Sequence, residues 1–399
     1  MKSEWTKKKL SDIADFNPRE TIKKGAIAKK IPMDVLRPLY RDIPYYVEED
    51  FSGGTKFRNG DTIMARITPC LENGKTAQVS ILNDGEVGFG STEYIVFRAK
   101  EGIADKDYLY YLVCSPEVRE PAIKSMVGSS GRQRVQTDVV KNLEIDVPPL
   151  VEQEKIGSFL KALDDKIALN DRINKNLEQQ AQAIYRSWFV NYEPFDGTKP
   201  DDWSDGTIDD LGTEIICGKT PSTKKSEYYG GNTPFITIPD MHGCVYIVST
   251  ERYLSDAGVA SQPKKTLPPN TVCVSCIGTA GLVTLVSEES QSNQQINSII
   301  PKEGISEYYI YLLMQTLAET INKLGQSGST IVNLNKTQFG KIQVMIPSKR
   351  VLQDFDSLCR PLFDTILSNQ KENINLSELC DTLLPKLMSG ELDVSNIKL

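Results

Sequence analysis

Histidine is almost absent from this sequence, because its 399 residues include only one, His242. A Ser-His-Asp triad or a histidine-rich metal site would have to be built on that single residue, so the sequence argues against both. Long apolar runs are missing too. No stretch of about 18 consecutive apolar residues occurs, and we expect no membrane-spanning helix. The opening MKSEWTKKKL lacks an apolar segment after its basic residues, so we expect no secretory signal peptide.

Motifs for nucleotide chemistry are missing as well. The sequence has no G-x-x-x-x-G-K-[ST] loop, and Gly85, Gly88 and Gly90 do not have the order of a dinucleotide-binding G-x-G-x-x-G. The segment FNPRE, residues 16–20, lacks the second proline and the aromatic residue of an amino-methyltransferase motif. We find no cluster of acidic residues typical of a nuclease. We therefore expect a recognition protein and not a catalyst.

The eight cysteines are scattered and lie mostly in apolar segments, which is typical of free thiols in a reducing cytosol. The spacing of Cys273 and Cys276 could supply two zinc ligands, with Cys217 and Cys244 as distant partners. The alternation in TVCVSC instead favours a strand with its cysteines in a hydrophobic core. We expect the strand, and no metal or other cofactor on this chain.

The net charge of −7 is unusual for a simple nucleic-acid-binding protein, since such proteins are mostly basic. The distribution of charge matters more than its sum. Residues 19–41 contain seven lysines and arginines against two acidic residues, Glu20 and Asp34. This segment predicts either a local basic face or an ordinary solvated surface, and the sequence does not decide between them.

Two heptad seams dominate the sequence. Apolar residues recur at alternating steps of four and three from Ile156 to Trp188, and the only polar members are two central asparagines. The same pattern recurs 199 residues later, again with two asparagines at its centre. The seam consists of Ile156, Leu160, Leu163, Ile167, Asn170, Asn174, Leu177 and Ile184 in the first helix, and of Phe355, Leu362, Ile366, Asn369, Asn373, Leu376 and Leu383 in the second.

The segments between the helices repeat at the same interval. DYLYYLVC, residues 107–114, matches EYYIYLLM, residues 307–314, and LEIDVP, residues 143–148, matches IQVMIP, residues 342–347. Each copy combines short strands with a buried helix, which indicates an α+β fold in two pseudo-repeated α/β domains. We predict a first module at residues 1–147, a long helix at 148–194, a second module at 195–346, and a second long helix with a tail at 347–399.

Connectivity predicts how the two helices pair. A helix of about 40 residues is roughly 60 Å long. The second module begins where the first helix ends, so an antiparallel pair with one module at each end is the economical arrangement. Asn170 would then face Asn373, and Asn174 would face Asn369, fixing the register of a coiled coil. Pro385 predicts a kink or break near Leu384. The alternative is that each helix is an amphipathic surface of a separate domain.

An antiparallel pair of repeats suits either duplex DNA read at two separated places or two copies of the same partner. Arginine can pair with guanine, and asparagine or glutamine with adenine, while lysine mostly contacts phosphate. For any one loop residue, an ordinary solvated position is an equally good interpretation. The loops offer as DNA-binding candidates Arg66, Asn73, Lys75, Arg132 and Arg134 in the first module, and Lys219, Thr220, Ser222, Lys224, Lys225, Asn293, Gln294 and Gln295 in the second.

Several stretches carry a family resemblance. They are PPLVEQEKIGSFLKALDDKI, NLEQQAQAIYRSWFVNYEPF and LLPKLMSGEL in the helical regions, and GDTIMARITPCLENGKTA, GFGSTEYIV, GKTPSTKKSEYYGG and SNQQIN in the modules. Over essentially its whole length the chain resembles the specificity subunit of Type I restriction–modification enzymes. The ending that contains Pro385 is itself similar to that family.

The resemblance implies two target-recognition domains that each read one half of a bipartite, asymmetric site in double-stranded DNA. It implies helical regions that hold these domains apart and dock two modification subunits. Those subunits would carry S-adenosylmethionine and methylate adenine, and restriction subunits that use ATP and Mg would complete the nuclease. We expect a non-catalytic, cytoplasmic subunit without membrane contact. The acidic net charge fits if the partners supply part of the DNA-binding surface.

Two other functions remain open at this point. The same modules could form a stand-alone, sequence-specific DNA-binding regulator, and footprinting of the isolated chain would reveal this as tight binding without partners. The chain could also be a structural coiled-coil scaffold. In that case Arg132, Arg134 and Lys219 need not share one concave face with the other loops.

The helix pair predicts a spacer of adjustable length. Inserting seven residues near Asn170 and seven near Asn373 keeps both seams in phase, so we expect a longer gap between the two recognised half-sites. Inserting four residues in one helix alone should disrupt the pair. Sequencing of methylated DNA from cells that carry each variant measures the gap. An unchanged gap after the matched insertion would refute the spacer.

Overall fold

The computed structural model describes residues 5–129, 131–326 and 332–392, and the chain forms two units. Unit 1 contains Met1–Leu169 and Asn373–Leu399, and unit 2 contains Asn170–Glu372. Each unit therefore holds one globular part together with one part of each long helix. Among the described residues, no helix is long and apolar enough to cross a membrane. The predicted domain limits near residues 147 and 346 stay predictions.

Unit 1 combines short strands and helices with the start of the first long helix. Its strands are β1 (Thr6–Lys9), β2 (Ala14–Phe16), β3 (Ile27–Ile31), β4 (Val47–Asp50), β5 (Thr55–Phe57), β6 (Thr62–Ala65), β7 (Thr76–Gln78), β8 (Gly88–Gly90), β9 (Tyr94–Ala99) and β10 (Glu144–Val147). Its helices are α1 (Leu10–Ile13), α2 (Lys106–Cys114), α3 (Pro116–Lys124), α4 (Thr137–Lys141) and the first half of α5 (Leu150–Phe189). Between β5 and β7 the chain turns at two Asn-Gly pairs, residues 59–60 and 73–74, where Gly60 and Gly74 have φ of 90° and 76°.

Unit 2 repeats this series of elements. Its strands are β11 (Ser204–Thr207), β12 (Gly212–Cys217), β13 (Tyr229–Ile236), β14 (Tyr246–Ile247), β15 (Tyr253–Leu254), β16 (Thr266–Leu267), β17 (Val272–Ser275), β18 (Val283–Val286), β19 (Ser290–Ser292), β20 (Ile296–Pro301) and β21 (Gln343–Ile346). Its helices are the second half of α5, then α6 (Ile208–Leu211), α7 (Asp256–Ala260), α8 (Glu307–Thr316), α9 (Ala318–Gly325), α10 (Lys336–Gly340) and most of α11 (Lys349–Met388).

The sheet topology of the two units is the same. The order β2-β9-β6-β7 in unit 1 corresponds to β12-β20-β17-β18 in unit 2, where β14 extends the sheet. The order β4-β3-β8-β5 corresponds to β15-β13-β19-β16, and each of these sheets has a parallel pair at the equivalent place, β3 with β8 and β13 with β19. The predicted fold class of two pseudo-repeated α/β domains with long helices is therefore confirmed.

A tyrosine-rich helix lies in the core of each unit, as the pattern predicts. Tyr108, Tyr110 and Tyr111 of α2 are at most 5% exposed, and the equivalent α8 is buried from Glu307 to Met314. Both helices begin at a polar cap. The Asp105 carboxylate accepts hydrogen bonds from two backbone amides of α2, and the Ser306 hydroxyl accepts one in α8.

Helix α5 approaches α2 closely at Gly157. A Cβ atom at this position would lie 2.6 Å from the backbone nitrogen of Tyr108. Nearby, the Gln153 side chain donates to the carbonyl oxygens of Pro148 and Ile103 and accepts from the amide of Asp105. These contacts fix the start of α5 to the first module.

The two long helices run antiparallel within each unit. In unit 2 the Asn369 side chain donates to Asn174 Oδ1 at 2.8 Å, which is the predicted pairing, and the rings of Trp188 and Phe355 lie 5.9 Å apart. In unit 1 the beginning of α5 shares a hydrophobic core with the end of α11. Every residue of the predicted seam is buried or half-buried. The amide of Asn170 donates to Glu372 at 2.8 Å, and its pairing with Asn373 stays a prediction.

The sequence predicted a kink or a break near Leu384. The break is absent, since α11 continues to Met388, and the kink stays a prediction. Leu387 and Met388 are 2% and 0% exposed. Proline removes one backbone donor and crowds one carbonyl, and burial of these two side chains outweighs that local cost. Two residues after the end of the helix, Gly390 has a left-handed φ of 66°, which is typical of the residue that terminates a helix.

Replacing Gly157 with alanine tests the close approach of α5 to α2. In an ordinary helix interior this change stabilises by about 1 kcal/mol. Here the added Cβ meets backbone, so we expect the free energy of unfolding to fall by about 1–3 kcal/mol. A urea titration followed by circular dichroism measures it. Ser158→Ala, at the exposed neighbouring position, is the control and should change stability by less than about 0.5 kcal/mol. A more stable G157A variant would contradict the contact.

Candidate nucleic-acid interface

Two loops predicted to bind DNA come together in unit 2. The Lys219 amide donates to the Ser292 carbonyl at 2.8 Å, and the Thr220 hydroxyl donates to Gln294 Oε1 at 2.8 Å. Gly218 allows this approach, because a Cβ there would overlap the carbonyl oxygen of Asn293. The loop 218–225 and the loop 292–295 therefore form one continuous surface.

The three amide side chains of the second loop differ in their surroundings. Asn293 is 8% exposed, and its amide donates to Gln295 Oε1 at 3.0 Å. The Gln295 backbone amide donates back to Asn293 Oδ1 at 3.0 Å. Gln294 between them is exposed. Asn293 and Gln295 thus hold the loop in shape, and Gln294 presents its amide to solvent.

The cationic side chains of the first loop lie at the surface. Lys219 and Lys224 are exposed, and neither side chain has a hydrogen bond or ion pair within the described part of the chain. The Lys225 ammonium donates to the Tyr228 hydroxyl at 3.0 Å and lies 4.9 Å from the centre of its ring. This hydrogen bond raises the pKa of Lys225. Ser222 is exposed as well, and its carbonyl accepts from the Lys225 amide at 3.1 Å.

In unit 1, Arg134 has a carboxylate partner. Its guanidinium donates to both oxygens of Glu93, at distances between 2.7 and 3.0 Å. The hydrogen bond from Arg134 lowers the pKa of Glu93, so the pair stays ionised at neutral pH. Arg132 is exposed, and its side chain has no hydrogen bond or ion pair among residues 5–129, 131–326 and 332–392. Of these two predicted arginines, Arg132 is available without breaking a contact.

The other three candidates of unit 1 also differ in whether their side chains already form hydrogen bonds within the protein. Arg66 donates from its guanidinium to the Val135 carbonyl at 3.3 Å, and Lys75 donates from its ammonium to the Met33 carbonyl at 2.9 Å. Asn73 is exposed at its Asn-Gly turn. Arg66 and Lys75 therefore support neighbouring loops, while Asn73 presents an exposed amide edge.

An open cavity of about 470 Å³ lies beside the loop 218–225 in unit 2, and the sequence interpretation did not include it. Thr223 of that loop lines the cavity together with Tyr229, Gly231, Glu251, Arg252 and Tyr253. One sequence signal could have identified it. Arg252 is the only arginine among residues 195–346.

The predicted core strand around Cys273 is confirmed. Cys273 and Cys276 are at most 1% exposed, and burial raises the pKa of each thiol to about 12. Both thiols are therefore protonated at neutral pH, as expected of cysteines in a hydrophobic core. In the described ranges of the chain, no group of three or more His, Cys, Asp or Glu residues could hold a metal ion.

Replacing Glu93 with glutamine tests whether Arg134 faces DNA. The change leaves the charge of Arg134 uncompensated, so we expect tighter DNA binding and a salt dependence steeper by about one released counterion. Fluorescence anisotropy of a labelled duplex at several salt concentrations measures both. Glu120→Gln is the control, because Glu120 forms a similar surface pair with Lys124 at 3.2 Å on α3. An unchanged slope for E93Q, or an equal change for E120Q, would argue against this position for Arg134.

Comparison with known proteins shows several similarities. The family model described as Type I restriction modification DNA specificity domain matches residues 2–179 and again residues 200–374. The Type I restriction enzyme HindI specificity subunit of Haemophilus influenzae is 33% identical over 415 residues, covering 86% of this chain and 89% of that protein. The MjaIX specificity subunit of Methanocaldococcus jannaschii is 26% identical over 313 residues, covering 75% of this chain and 71% of that protein.

A solved structure shares the fold. The crystal structure of the Type-I restriction-modification system S subunit from M. genitalium superposes with a TM-score of 0.61 and covers 96% of both chains. The sequence identity is 16%. The architecture of paired repeats and long helices is therefore common to both proteins.

Proposed function

Because this chain belongs to the Type I restriction modification DNA specificity family, we propose that it is the DNA sequence-specificity subunit of such a complex. Each module reads one half of a bipartite site. The observation that supports this most directly is the double family match, which spans two units of equal sheet topology. Two copies of one reading module suit a site with two separate halves.

The surface loops supply the groups that this function needs. In unit 2 the exposed Lys219 and Lys224 suit phosphate, and the exposed amide of Gln294 suits an adenine edge. Thr220, Ser222 and Lys225 lie in the same loop. In unit 1 we assign direct contacts to Asn73, Arg132 and Arg134. The bonded side chains Arg66, Lys75, Asn293 and Gln295 position the loops around these groups.

The long helices provide surfaces for the modification subunits. Leu169 and Ile173 of α5 are 44% and 37% exposed, and Leu358 and Leu379 of α11 are 48% and 42% exposed. Exposed aliphatic side chains on a helix are typical of surfaces that a protein partner covers. Two such partners follow from the two-fold repetition of the chain.

Catalysis belongs to the partners in this proposal. The modification subunits carry S-adenosylmethionine and methylate adenine, and the restriction subunits use ATP and Mg. The net charge of −7 leaves part of the DNA-binding surface for these subunits to supply. The complex acts on chromosomal and incoming DNA, which places it in the cytoplasm.

Co-expression with the modification subunit tests this function. We expect a co-purifying complex and adenine methylation at a single bipartite motif, detected by methylation-sensitive sequencing of genomic DNA. Exchanging residues 1–147 for the module of a relative should change one half of the motif and leave the other half intact. Absence of both methylation and a complex would overturn the proposal. Tight, specific footprints from the isolated chain would favour a stand-alone regulator instead.

A further inference from the structure

The two modules differ sharply in arginine. Residues 1–147 contain nine arginines, whereas residues 195–346 contain one, Arg252. A bidentate contact from arginine to guanine O6 and N7 is the commonest specific contact in the DNA major groove. Lysine can also pair with guanine, but its ammonium lacks the rigid fork of the guanidinium. If the second half-site contains a guanine, Arg252 is therefore the one arginine of that module that could form this bidentate contact with it.

The backbone of Arg252 is held in place while its side chain is not. Its carbonyl oxygen accepts from the Phe235 amide of β13 at 3.0 Å and from the Thr250 hydroxyl at 2.6 Å. The side chain is exposed, and within the described residues it forms no hydrogen bond or ion pair. Arg134 of the first module, by contrast, is bound to Glu93. Arg252 thus combines a fixed position with unused donors.

The cavity beside Arg252 has fixed walls and adjoins the DNA-binding loop. The Tyr229 hydroxyl donates to the Pro221 carbonyl of the loop at 2.8 Å, and the Tyr253 hydroxyl accepts from the Thr250 amide at 3.3 Å. Both tyrosines are half-buried. Because these contacts hold the rings, the cavity keeps its shape next to Thr223 and the exposed lysines of the loop.

Glu251 decides which ligand suits this cavity. A phosphate near Arg252 would also meet the Glu251 carboxylate, and like charges repel. The edge of a base pair carries no net charge. In the major groove a G·C pair offers two acceptors on guanine, which suit arginine, and one amino donor on cytosine, which suits a carboxylate.

We propose that the surface around this cavity faces the major groove at one G·C base pair in the half-site read by the second module, where the exposed Arg252 side chain projects into the groove and donates to guanine O6 and N7. In this arrangement its chain neighbour Glu251 accepts from the cytosine amino group. This inference rests on the proposed function and adds to it a specificity-determining residue together with the base pair that it reads.

Substitution of Arg252 in the co-expressed complex tests the inference. We expect Arg252→Gln to relax one G·C position in one half of the methylated motif and to leave the other half unchanged. Arg252→Lys keeps the charge but lacks the two-pronged donor, so it should relax the same position. Lys341→Gln removes one exposed positive charge elsewhere in the module and should leave the motif unchanged. Co-purification and thermal unfolding confirm that each variant is folded.

A modified base isolates the contact itself. Replacing the guanine at that position with 7-deazaguanine removes the N7 acceptor. We expect the wild-type complex to bind this duplex roughly 5- to 150-fold more weakly than the unmodified duplex. The R252Q complex should show a smaller difference between the two duplexes, since the guanidinium that donates to N7 is absent.

The possible failures are distinguishable. If the wild-type complex methylates no bipartite motif, the proposed function is wrong. If it methylates one, the inference about Arg252 is overturned by a second half-site that lacks G·C pairs, by R252Q or R252K complexes that keep the complete motif, or by equal sensitivity of wild-type and R252Q complexes to 7-deazaguanine.

Discussion

A hydrogen bond from a buried tyrosine to a carboxylate of α5 fixes the globular part of each unit to the long helix. In unit 1 the Tyr111 hydroxyl donates to Asp164 at 2.6 Å, and in unit 2 the equivalent Tyr311 donates to Glu178 at 2.8 Å. Burial raises the pKa of both tyrosines, so both hydroxyls remain donors. A buried polar group that loses its partner costs about 1–3 kcal/mol, which makes this pairing a strict constraint on how the module meets the helix.

Recognition of DNA requires that the side chains of the loops be held at defined positions. The loops can be held in this way only if the module that carries them is fixed to the long helix. The structure separates the groups that hold a loop from the groups that face solvent. In unit 2 the hydrogen bond between Asn293 and Gln295 holds the backbone of the loop, and Gly218 packs closely against the Asn293 carbonyl because it has no Cβ. Gln294 and Lys219 remain exposed. Function can therefore vary at the exposed positions without altering the fold.

Sequence periodicity predicted the long helices well. The observed bounds Leu150–Phe189 and Lys349–Met388 follow the heptad seams, and the hydrogen bond between Asn174 and Asn369 joins the expected pair. Of the kink or break predicted near Leu384, the break does not occur, because the helix continues to the buried Leu387 and Met388. The kink stays a prediction. The DNA-binding residues stay a prediction, and the sequence could not rank them, because the partners of Arg134 and Lys75 are distant in sequence.

The sequence by itself determined the half-length repeat, the α+β class, the antiparallel seam and the family. These depend on periodicity and on short motifs, both of which can be recognised in continuous stretches of the chain. Only the tertiary structure decided which polar side chains are already engaged. Thr220 meets Gln294 across 74 residues, and Arg134 meets Glu93 across 41. Whether a hydrogen-bond donor is available to a ligand depends on such long-range partners and on burial. Neither can be predicted from a local sequence pattern. For the same reason Arg252, isolated in the sequence, became a candidate for base recognition only beside its cavity.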